Sequence, residues 1–401
     1  MHILFFADQH PLTLGGAQVS MRLQRRFLER AGHTVSVVSP RRHGPAGRRE
    51  GRAPGDVDLP SLPITVDLEY GMFWPGRRAE RRVEAALRER PPVDLVHVQG
   101  DFWGAFLGLR YARRRQLPTV ITMHNNVEAG IRAVAPLPGL VLRGLNGWQR
   151  RMLRTTARGP DGGAFLAGLA ARADRVVAPS EHFARLLREA GVAEPAIVRT
   201  GVDDELVRGL ASGPVQPRSP GELPRLVWLG RFSREKRPLE LLEALALAGG
   251  RARLEMFGRG LLWRRAQQLA RERGLGERVV FRGNVPHPEA LAAIASADAL
   301  VQTSVGFETQ GMTVFEALAL GTPVVLSDER IGAELGAGWG WQARDASVPA
   351  LAAALRQAEA DIAAGAAPVI GMRERAGQLQ SAQTARMLAI YEELLASRGP
   401  R

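Results

Sequence analysis

The chain has 401 residues, and its 54 basic against 41 acidic side chains give a formal net charge of +13 at pH 7. The absence of cysteine excludes disulfides, thiolate zinc sites and cysteine nucleophiles, and no run of about 18 apolar residues indicates a membrane-spanning helix. Of the basic residues only Lys236 is a lysine, so arginine is the default cation and the high charge is weak evidence for nucleic-acid binding. The length predicts about two to three domains. The N-terminus lacks signal-peptide features, so we expect a cytoplasmic protein.

Short apolar runs alternate with longer helical patterns along the first half of the chain. Runs that are continuously apolar indicate parallel strands buried on both faces. The predicted strands are Ile3–Ala7, Thr34–Ser39, Leu95–Gln99, Thr119–His124, Arg175–Pro179 and Ala196–Thr200. The predicted helices include Gln18–Arg30 and Glu181–Ala190. The Gly-, Pro- and Arg-rich segment Arg41–Leu62 is predicted to be a surface loop.

The second half repeats this alternation. Its predicted strands are Arg225–Leu229, Arg253–Phe257, Val279–Arg282, Ala299–Thr303 and Pro323–Ser327, and its predicted helices are Leu239–Ala248, Leu262–Arg273, Pro288–Ser296 and Thr313–Leu320. The pattern predicts an α/β protein of two Rossmann-like, doubly wound domains that face each other across a cleft. We assign residues 1–202 to the first domain, 203–224 to a linker, 225–377 to the second domain, and 378–401 to a C-terminal helix expected to pack back on the first domain.

A pair of glycines follows the first predicted strand. Gly15 and Gly16 directly precede a helix, so their backbone N–H groups can approach an anion, and the helix dipole favours negative charge there. The dinucleotide-binding fingerprint needs three glycines at set spacing, and the pair does not match it. A plain flexible turn fits equally well, and the sequence leaves both interpretations open.

Two cations follow the first predicted strand of the second half. Arg231 comes at the carboxyl end of that strand, and Lys236 opens the next helical region. A guanidinium fork and a compact ammonium together suit a diphosphate. A solvated charged loop is the alternative, but a lysine kept in an arginine-saturated chain favours a function.

The strongest motif lies between a predicted strand and an Ala/Leu-rich helix. Gly311 permits the backbone N–H groups of Met312 and Thr313 to approach an anion. Glu308 and Glu316 flank that position, and carboxylates accept hydrogen bonds from hydroxyls, so the motif predicts sugar rings on either side of a phosphate. The alternative makes Glu316 a helix residue favoured by the dipole and Glu308 a loop charge.

These motifs, in this order, resemble those of retaining glycosyltransferases of the GT-B fold, in sequence family four (group 1). The resemblance covers nearly the whole chain. It rests on the following segments: Gly15-Gly16, Val93–His97, Thr122–His124, Ala173–Ser180, Gly201–Asp203, Gly230-Arg231 with Lys236, and Glu308–Glu316.

The resemblance implies a donor site for a nucleoside-diphosphate sugar. Arg231 and Lys236 would bind the diphosphate, Glu308 the sugar hydroxyls and Glu316 the ribose hydroxyls, while His124 would lie beside the donor sugar. The candidate catalytic residues are therefore His124, Arg231, Lys236 and Glu308. Further donor contacts would come from Gly15, Gly16, Val285 in the base-binding loop, Gly311, Met312 and Thr313.

The chemistry implied is transfer of a hexose to an acceptor hydroxyl with retained configuration. Cations and helix N-termini can stabilise the leaving diphosphate, so neither a metal nor another cofactor is expected. The pair Asp56 and Asp58 matches the metal-binding motif of the other glycosyltransferase fold, but it lies in a Pro/Gly-rich loop and is not expected to bind metal.

The acceptor is predicted from two resemblances and one pattern. The segment Gln99–Gly104, and Thr303-Ser304 followed by Glu308–Gly311, resemble the lipid-directed branch, which includes glucosyl- and mannosyltransferases. The segment Leu140–Arg158 has a basic amphipathic pattern that suits an anionic membrane surface. An ordinary surface helix that buries its Leu and Trp in the domain is the alternative. A peripheral place at the inner face of the cell membrane therefore stays open.

Other functions stay open on the sequence alone. A nucleotide-sugar epimerase of the same fold would bind the same donor but would need acid–base carboxylates and no acceptor. A glycosyltransferase with a soluble or polysaccharide acceptor is a second alternative. A basic nucleic-acid-binding module gives no reason for Glu308 and Glu316, and no nucleic-acid partner is expected. The sequence predicts neither the donor sugar, nor the base, nor the oligomeric state.

Overall fold

The computed structural model describes residues 1–13, 15–44, 55–65, 68–211 and 222–398. The chain divides into two compact units, the first comprising Met1–Thr200 with Gln383–Arg401 and the second Gly201–Ala382. Each unit is built on its own parallel sheet, and both are Rossmann-like, so the predicted fold class of two doubly wound α/β domains is confirmed.

The first unit contains a seven-stranded parallel sheet in the order β3-β2-β1-β6-β7-β8-β9. Two further short strands, β4 and β5, form an antiparallel pair beside it. The strands are β1 (His2–Ala7), β2 (Thr34–Pro40), β3 (Val57–Leu59), β4 (Leu62–Pro63), β5 (Gly71–Met72), β6 (Leu95–Gln99), β7 (Thr119–Thr122), β8 (Arg175–Ala178) and β9 (Ala196–Ile197). The helices are α1 (Gly16–Arg30), α2 (Arg77–Ala86), α3 (Trp103–Arg115), α4 (Val127–Val134), α5 (Pro138–Leu153), α6 (Gly162–Ala170) and α7 (Glu181–Glu189).

Apolar residues cover both faces of this sheet. Leu4 and Phe6 of β1 are fully buried in one core, which α3, α5, α6 and α7 complete. Ile3 and Phe5 point to the opposite face and pack with α1. Because successive side chains of a strand alternate between faces, a sheet covered on both sides needs the continuous apolar runs that the sequence shows.

The second unit contains a six-stranded parallel sheet in the order β12-β11-β10-β13-β14-β15. Its strands are β10 (Arg225–Leu229), β11 (Arg253–Phe257), β12 (Val279–Gly283), β13 (Ala299–Gln302), β14 (Val324–Leu326) and β15 (Gly340–Gln342). Its helices are α8 (Asp204–Ala211), α9 (Pro238–Ala248), α10 (Trp263–Glu272), α11 (His287–Ser296), α12 (Met312–Leu320), α13 (Glu329–Gly332), α14 (Val348–Ala363) and α15 (Met372–Gly377), with a 3-10 turn at Arg234–Lys236. Two apolar clusters again cover the two faces of the sheet.

The last helix, α16 (Gln380–Ala396), lies largely in the first unit. Its residues Met387, Tyr391 and Leu394 are buried in the core that contains Ile3 and Phe5. The Tyr391 hydroxyl is 2.5 Å from Nδ1 of the buried His97. The C-terminal helix therefore covers the α1 face of the first sheet.

Two predicted segments differ from the structure. The predicted linker 203–224 begins with α8, whose acidic first turn suits a helix N-terminus and whose Val207 is buried in the second unit; residues 212–221 lie outside the described part. The predicted loop Arg41–Leu62 is wrong at Val57–Leu59. This segment is strand β3, which buries Val57 and Leu59 at the sheet edge; residues 45–54 are not among those described.

Candidate functional site

The strand order of each sheet reverses once. The reversal lies between β1 and β6 in the first unit and between β10 and β13 in the second. Ligands of open α/β sheets bind outside the carboxyl ends of the strands at such a point. The loops after these four strands carry many of the predicted site residues, so the topology itself indicates where to look.

Lys236 and Glu308 meet at the reversal of the second sheet. Lys236 ends the 3-10 turn after β10, Glu308 lies in the loop after β13, and the Lys236 ammonium donates a hydrogen bond to Glu308 Oε1. The ammonium also lies 5.8 Å from the centroid of the Phe307 ring. Both charged side chains are partly buried, which strengthens their attraction over that of an exposed pair.

The two loops are fastened by Thr303. Its hydroxyl donates to the carbonyl oxygen of Lys236 at 2.6 Å and accepts from Trp228 Nε1 at 2.9 Å. Both Thr303 and Trp228 are almost fully buried. Since these hydrogen bonds hold the backbone of Lys236, the cation loop is positioned before any ligand binds.

Helix α12 begins beside this pair. Gly311 precedes it with φ +80°, a left-handed conformation that favours glycine, and no side chain caps the first turn. The N–H groups of Met312 and Thr313 therefore lie in an uncapped helix N-terminus. Glu316, in the next turn, is 7% exposed, and its Oε1 is 2.7 Å from Nε2 of His287.

The other predicted donor residues of the second unit, Arg231 and Val285, lie in neighbouring loops. Arg231 follows β10, and its side chain is exposed. Arg259, in the loop after β11, lies with its guanidinium 4.8 Å from the centroid of the Trp263 ring. A Cβ at Gly283 would come within 3.3 Å of Arg259 Nε, so glycine leaves room for that side chain. Val285, in the predicted base-binding loop, packs against the core.

The glycine pair lies at the reversal of the first sheet. Gly15 has φ +145°, a backbone conformation that favours glycine, and a Cβ there would also require the Gln18 side chain to move, since its Oε1 would lie at 2.3 Å. Helix α1 starts at Gly16 with no side-chain cap and no acidic residue in its first turn. Its first N–H groups are therefore uncapped by any side chain, as the prediction of an anion contact requires.

His124 lies at the carboxyl end of the first sheet, just after β7. Its Nε2 is 3.0 Å from Gln99 Oε1, and its backbone N–H donates to Asp101 Oδ2 at 3.2 Å. Burial lowers the pKa of His124, so the imidazole is neutral at pH 7. The structure thus places His124 near the end of β6 and fixes both its backbone and its ring.

Two buried carboxyl groups support this region. Asp8 accepts from the backbone N–H groups of Asp101 at 2.6 Å, Phe102 at 3.0 Å and Gly104 at 2.8 Å. Burial raises the pKa of Asp8 to about 6, although these hydrogen bonds oppose the rise. Burial, and next the charge of Asp8, raises the pKa of Asp101 to about 7. Both acids therefore hold loops in place near the strand reversal.

Two family models match the chain. The model for Glycosyltransferase Family 4 matches residues 14–206, and the model for Glycosyl transferases group 1 matches residues 214–364. The chain is a group 1 glycosyltransferase of the GT-B fold.

This glycosyltransferase is 26% identical over 342 residues to alpha-monoglucosyldiacylglycerol synthase of Streptococcus pneumoniae, an alignment covering 81% of this chain and 70% of the relative. Sucrose-phosphate synthase from Thermosynechococcus elongatus superposes with a TM-score of 0.72 at 20% identity, covering 99% of both chains. Anabaena HepE in complex with UDP and glucose gives a TM-score of 0.66 at 18% identity, covering 98% of this chain and 99% of that one. Identities this low establish the fold alone.

The surface of the first unit corrects one part of the glycosyltransferase prediction. The segment Leu140–Arg158 is helical only as far as Leu153. The apolar residues on which the amphipathic prediction depended pack on the core: Leu142, Leu145, Trp148, Met152 and Leu153. For these residues the structure therefore favours the alternative of an ordinary surface helix, because they supply the contacts that attach α5 to the unit.

Other apolar residues of the glycosyltransferase are exposed instead. Leu137 and Leu140 are 61% and 60% exposed at the start of α5, and Trp74 is 70% exposed. The Trp74 ring stacks on Trp148 of α5, with 5.6 Å between centroids. Helix α2, which follows Trp74, and helix α5 also carry exposed arginines: Arg77, Arg78, Arg81, Arg82, Arg143, Arg150 and Arg151. Across the described residues, no helix is long and apolar enough to cross a membrane.

The sequence drew attention to Asp56 and Asp58, but it missed the carboxyl pair of the first sheet. Asp56 accepts from Arg25 of α1 at 2.7 Å and from the Val37 N–H at 3.2 Å, so this carboxylate is occupied within the protein. Asp8 could have been recognised in the sequence as a candidate site residue. It directly follows the apolar run Ile3–Ala7, and an acid at the carboxyl end of a buried strand lies where ligands of such sheets bind. Gln99, Asp101 and Arg259 carry no such signal in the sequence.

Proposed function

We propose that this glycosyltransferase moves a hexose from a nucleoside-diphosphate sugar to a hydroxyl of a membrane glycolipid or lipid precursor, with retention of anomeric configuration and without a metal. The observation that carries the donor half is the Lys236–Glu308 pair at the reversal of the second sheet. This pair supports the proposal because a cation that can bind phosphate contacts a carboxylate that can accept from hydroxyls, beside the uncapped start of α12.

The donor's diphosphate would compete with Glu308 for Lys236. A diphosphate is a stronger anion than one carboxylate, and the uncapped N–H groups of α12 and the exposed Arg231 add to its attraction. Glu308, released from Lys236, could then accept hydrogen bonds from the hexose hydroxyls. Glu316 would accept from the ribose, and its contact with His287 keeps one carboxylate oxygen oriented. The known complex of HepE with UDP and glucose supports this class of donor.

Retention is proposed from the resemblance to the retaining group 1 enzymes, and the buried acids bear only on which retaining route is used. A double displacement needs a carboxylate that is free to attack the anomeric carbon. Asp8 and Asp101 are buried, and each already accepts several N–H groups, so neither suits that role. A front-face route remains, in which the leaving diphosphate accepts the proton of the acceptor hydroxyl as the new bond forms.

The lipid acceptor is supported by the surface around Trp74 and by one relative. Exposed Trp74, Leu137 and Leu140 can enter the interfacial region of a bilayer, and the neighbouring arginines attract anionic headgroups. The relative from Streptococcus pneumoniae is named for the synthesis of a glucosyldiacylglycerol. Together these favour a lipid over a soluble or polymeric glycan.

The experiment begins with a donor screen. Wild-type protein is titrated calorimetrically with uridine, guanosine and adenosine diphosphate hexoses, with Lys236→Ala as the variant expected to bind weakly. The donor that binds is then incubated with diacylglycerol and glucosyldiacylglycerol in anionic vesicles, with a soluble oligosaccharide, or with no acceptor. Transfer to lipid alone is the expected result. Transfer to the oligosaccharide alone would show that the acceptor is a soluble glycan and not a lipid. Epimerised donor in the sample without acceptor would show that the enzyme is an epimerase and not a transferase.

A further inference from the structure

A chain of buried polar side chains leads from helix α1 to His124. Gln24 of α1 and Gln99 at the end of β6 are both almost fully buried. Gln99 Nε2 donates to Gln24 Oε1, and Gln99 Oε1 lies 3.0 Å from His124 Nε2. Buried amides seldom lack a structural or functional reason, because each polar atom must find a partner.

The orientation of the Gln99 amide decides the tautomer of His124. With its nitrogen directed at Gln24 and also 3.4 Å from His97 Nδ1, the amide turns its oxygen toward His124. A carbonyl oxygen only accepts hydrogen bonds, so His124 Nε2 must carry the hydrogen. A neutral imidazole has one N–H, and Nδ1 of His124 is therefore a lone-pair acceptor.

His97 fits the same assignment from the other side. Burial lowers the pKa of His97 to about 3, so it is neutral and has one N–H. Its Nε2 is 2.7 Å from the Thr122 hydroxyl, and its Nδ1 is 2.5 Å from the Tyr391 hydroxyl. If Tyr391 donates to Nδ1 and Nε2 donates to Thr122, the one lone pair of Nδ1 is used by Tyr391, and the Gln99 nitrogen at 3.4 Å makes only a weak contact there. Every group in the set then has a compatible partner.

The backbone of His124 is fixed independently of its ring. Asp101 Oδ2 accepts from the N–H groups of His124 at 3.2 Å and Asn125 at 3.1 Å, and from Asn125 Nδ2 at 2.7 Å. Asp101 itself is held through its own N–H by Asp8. Because backbone and ring are held separately, the direction of His124 Nδ1 is set before any ligand arrives.

We propose that Gln99 is a positioning residue that fixes His124 as the Nε2–H tautomer, so that Nδ1 accepts a hydrogen bond from a hydroxyl of the substrate sugar. Within the described part of the chain, Nδ1 of His124 has no partner. That the ligand is a sugar rests on the proposed function. The fixed tautomer also excludes His124 as a proton donor, because the single hydrogen is held by Gln99.

The test uses the full chain with 15N-labelled histidine. Long-range 1H–15N spectra separate a hydrogen-bearing nitrogen from a lone-pair nitrogen in each imidazole, and the His124 signals are identified by their loss in His124→Asn. Wild-type protein is expected to show hydrogen on Nε2 only, from pH 6 to 8. Gln99→Met, of similar size, is expected to give a mixture of tautomers and to lower kcat/KM about tenfold, the size of one hydrogen bond.

Two further variants separate positioning from packing. Gln99→Glu keeps an acceptor for His124 Nε2, so the single tautomer should return, and transfer should become pH-dependent. Ser36→Ala removes a hydrogen bond to another buried histidine, His2, in the same sheet (3.0 Å), and should change neither the His124 spectrum nor transfer. A Gln99→Met protein whose His124 stays in one tautomer would overturn the positioning role.

Ligand titrations complete the experiment. The Nδ1 signal of His124 should shift with the complete nucleotide sugar and stay unchanged with the nucleoside diphosphate alone. Equal shifts with both ligands, or none, would overturn the sugar contact while leaving the proposed transfer intact. A wild-type protein that binds no nucleotide sugar would instead overturn the proposed function, and the ligand part of this inference with it.

Discussion

Lys236 and Glu308 form a direct ion pair between the loops that follow β10 and β13, the two strands at which the second sheet reverses. Each side chain neutralises the other in the unliganded protein. A ligand that combines a phosphate with sugar hydroxyls can replace this contact with one for each partner. The only lysine of the chain therefore lies at the strand reversal, where we propose that the donor binds.

Replacing Lys236 by alanine should abolish most transfer. Losing one cation from the leaving diphosphate costs roughly 3 kcal/mol, so kcat should fall by roughly 100-fold. The melting temperature should fall only slightly, because a partly exposed pair adds about 1 kcal/mol at most. The matched control is Arg234→Ala, an exposed cation in the same turn, which should keep full activity. Equal losses in both variants would mean that only local charge matters.

Glu316→Gln should weaken binding of the nucleoside diphosphate itself. The carboxylate at the start of α12 accepts from His287 and is expected to accept the ribose hydroxyls, and an amide accepts more weakly. Calorimetry should show an affinity about tenfold lower, a loss of about 1.4 kcal/mol. Glu272→Gln, which alters an exposed residue at the end of α10, serves as the control and should bind as wild type does. Unchanged affinity in Glu316→Gln would remove the ribose role.

Asp101 should make the protein less stable as the pH rises. Its folded pKa of about 7 exceeds its unfolded value of about 3.9, so the folded state keeps a proton that the unfolded state loses. The stability from this group is complete below about pH 4 and is lost as the pH rises to about 7. Asp101→Asn retains the hydrogen-bond acceptor without the charge. Its melting temperature relative to wild type should therefore rise from pH 5 to about 7.5 and then level off.

A surface carboxylate provides the comparison for that experiment. Glu84→Gln, on α2, removes a partly exposed acid outside this buried set, so it separates an effect specific to Asp101 from the general loss of one negative charge. The lowered pKa values of His97 and His124 make the folded state more stable as the pH rises. This effect is present in the wild type and in both variants, so it cancels when each variant's melting temperature is compared with that of the wild type. A flat profile for Asp101→Asn would contradict a proton held at this site.

Membrane binding should depend on the exposed apolar residues of the first unit. In co-sedimentation with anionic vesicles at low salt, Trp74→Ala combined with Leu140→Ser should bind about tenfold more weakly, since both side chains can enter the interface. Leu261→Ser alters a 97% exposed residue of the second unit and should bind as wild type does. Equal binding by all three proteins would remove this surface from the acceptor proposal.

The sequence predicted the regular parts of the fold well because their signals are local. Arg225–Leu229 and Arg253–Phe257 are strands with the predicted bounds, since short runs made mostly of buried apolar residues are typical of parallel strands. Strand β3 was missed because three residues at a sheet edge give too short a pattern. Helix α5 shows the limit of amphipathicity: a pattern identifies an apolar face but cannot say whether that face meets a core or a membrane.

In the site, too, contacts that follow from strand order could be predicted from the sequence, whereas contacts that depend on side-chain direction could not. Glu308 and Lys236 lie far apart in sequence, and the rule that loops after neighbouring parallel strands share one edge anticipates that they meet. The contact between Gln99 and His124 could not be foreseen in this way. It depends on the register of β6 and β7 and on side-chain direction, which no spacing in the sequence records.

The most direct test of the account is the anomeric configuration of the product made by wild-type protein from an α-linked nucleotide hexose and a lipid acceptor in anionic vesicles. Proton NMR of the isolated glycolipid reports that configuration through the coupling of the anomeric hydrogen, and Lys236→Arg, which keeps the charge but changes its geometry, is assayed alongside. The account predicts an α-linked glycolipid from the wild type and strongly reduced yield from Lys236→Arg. A β-linked product, or full activity in that variant, would contradict it.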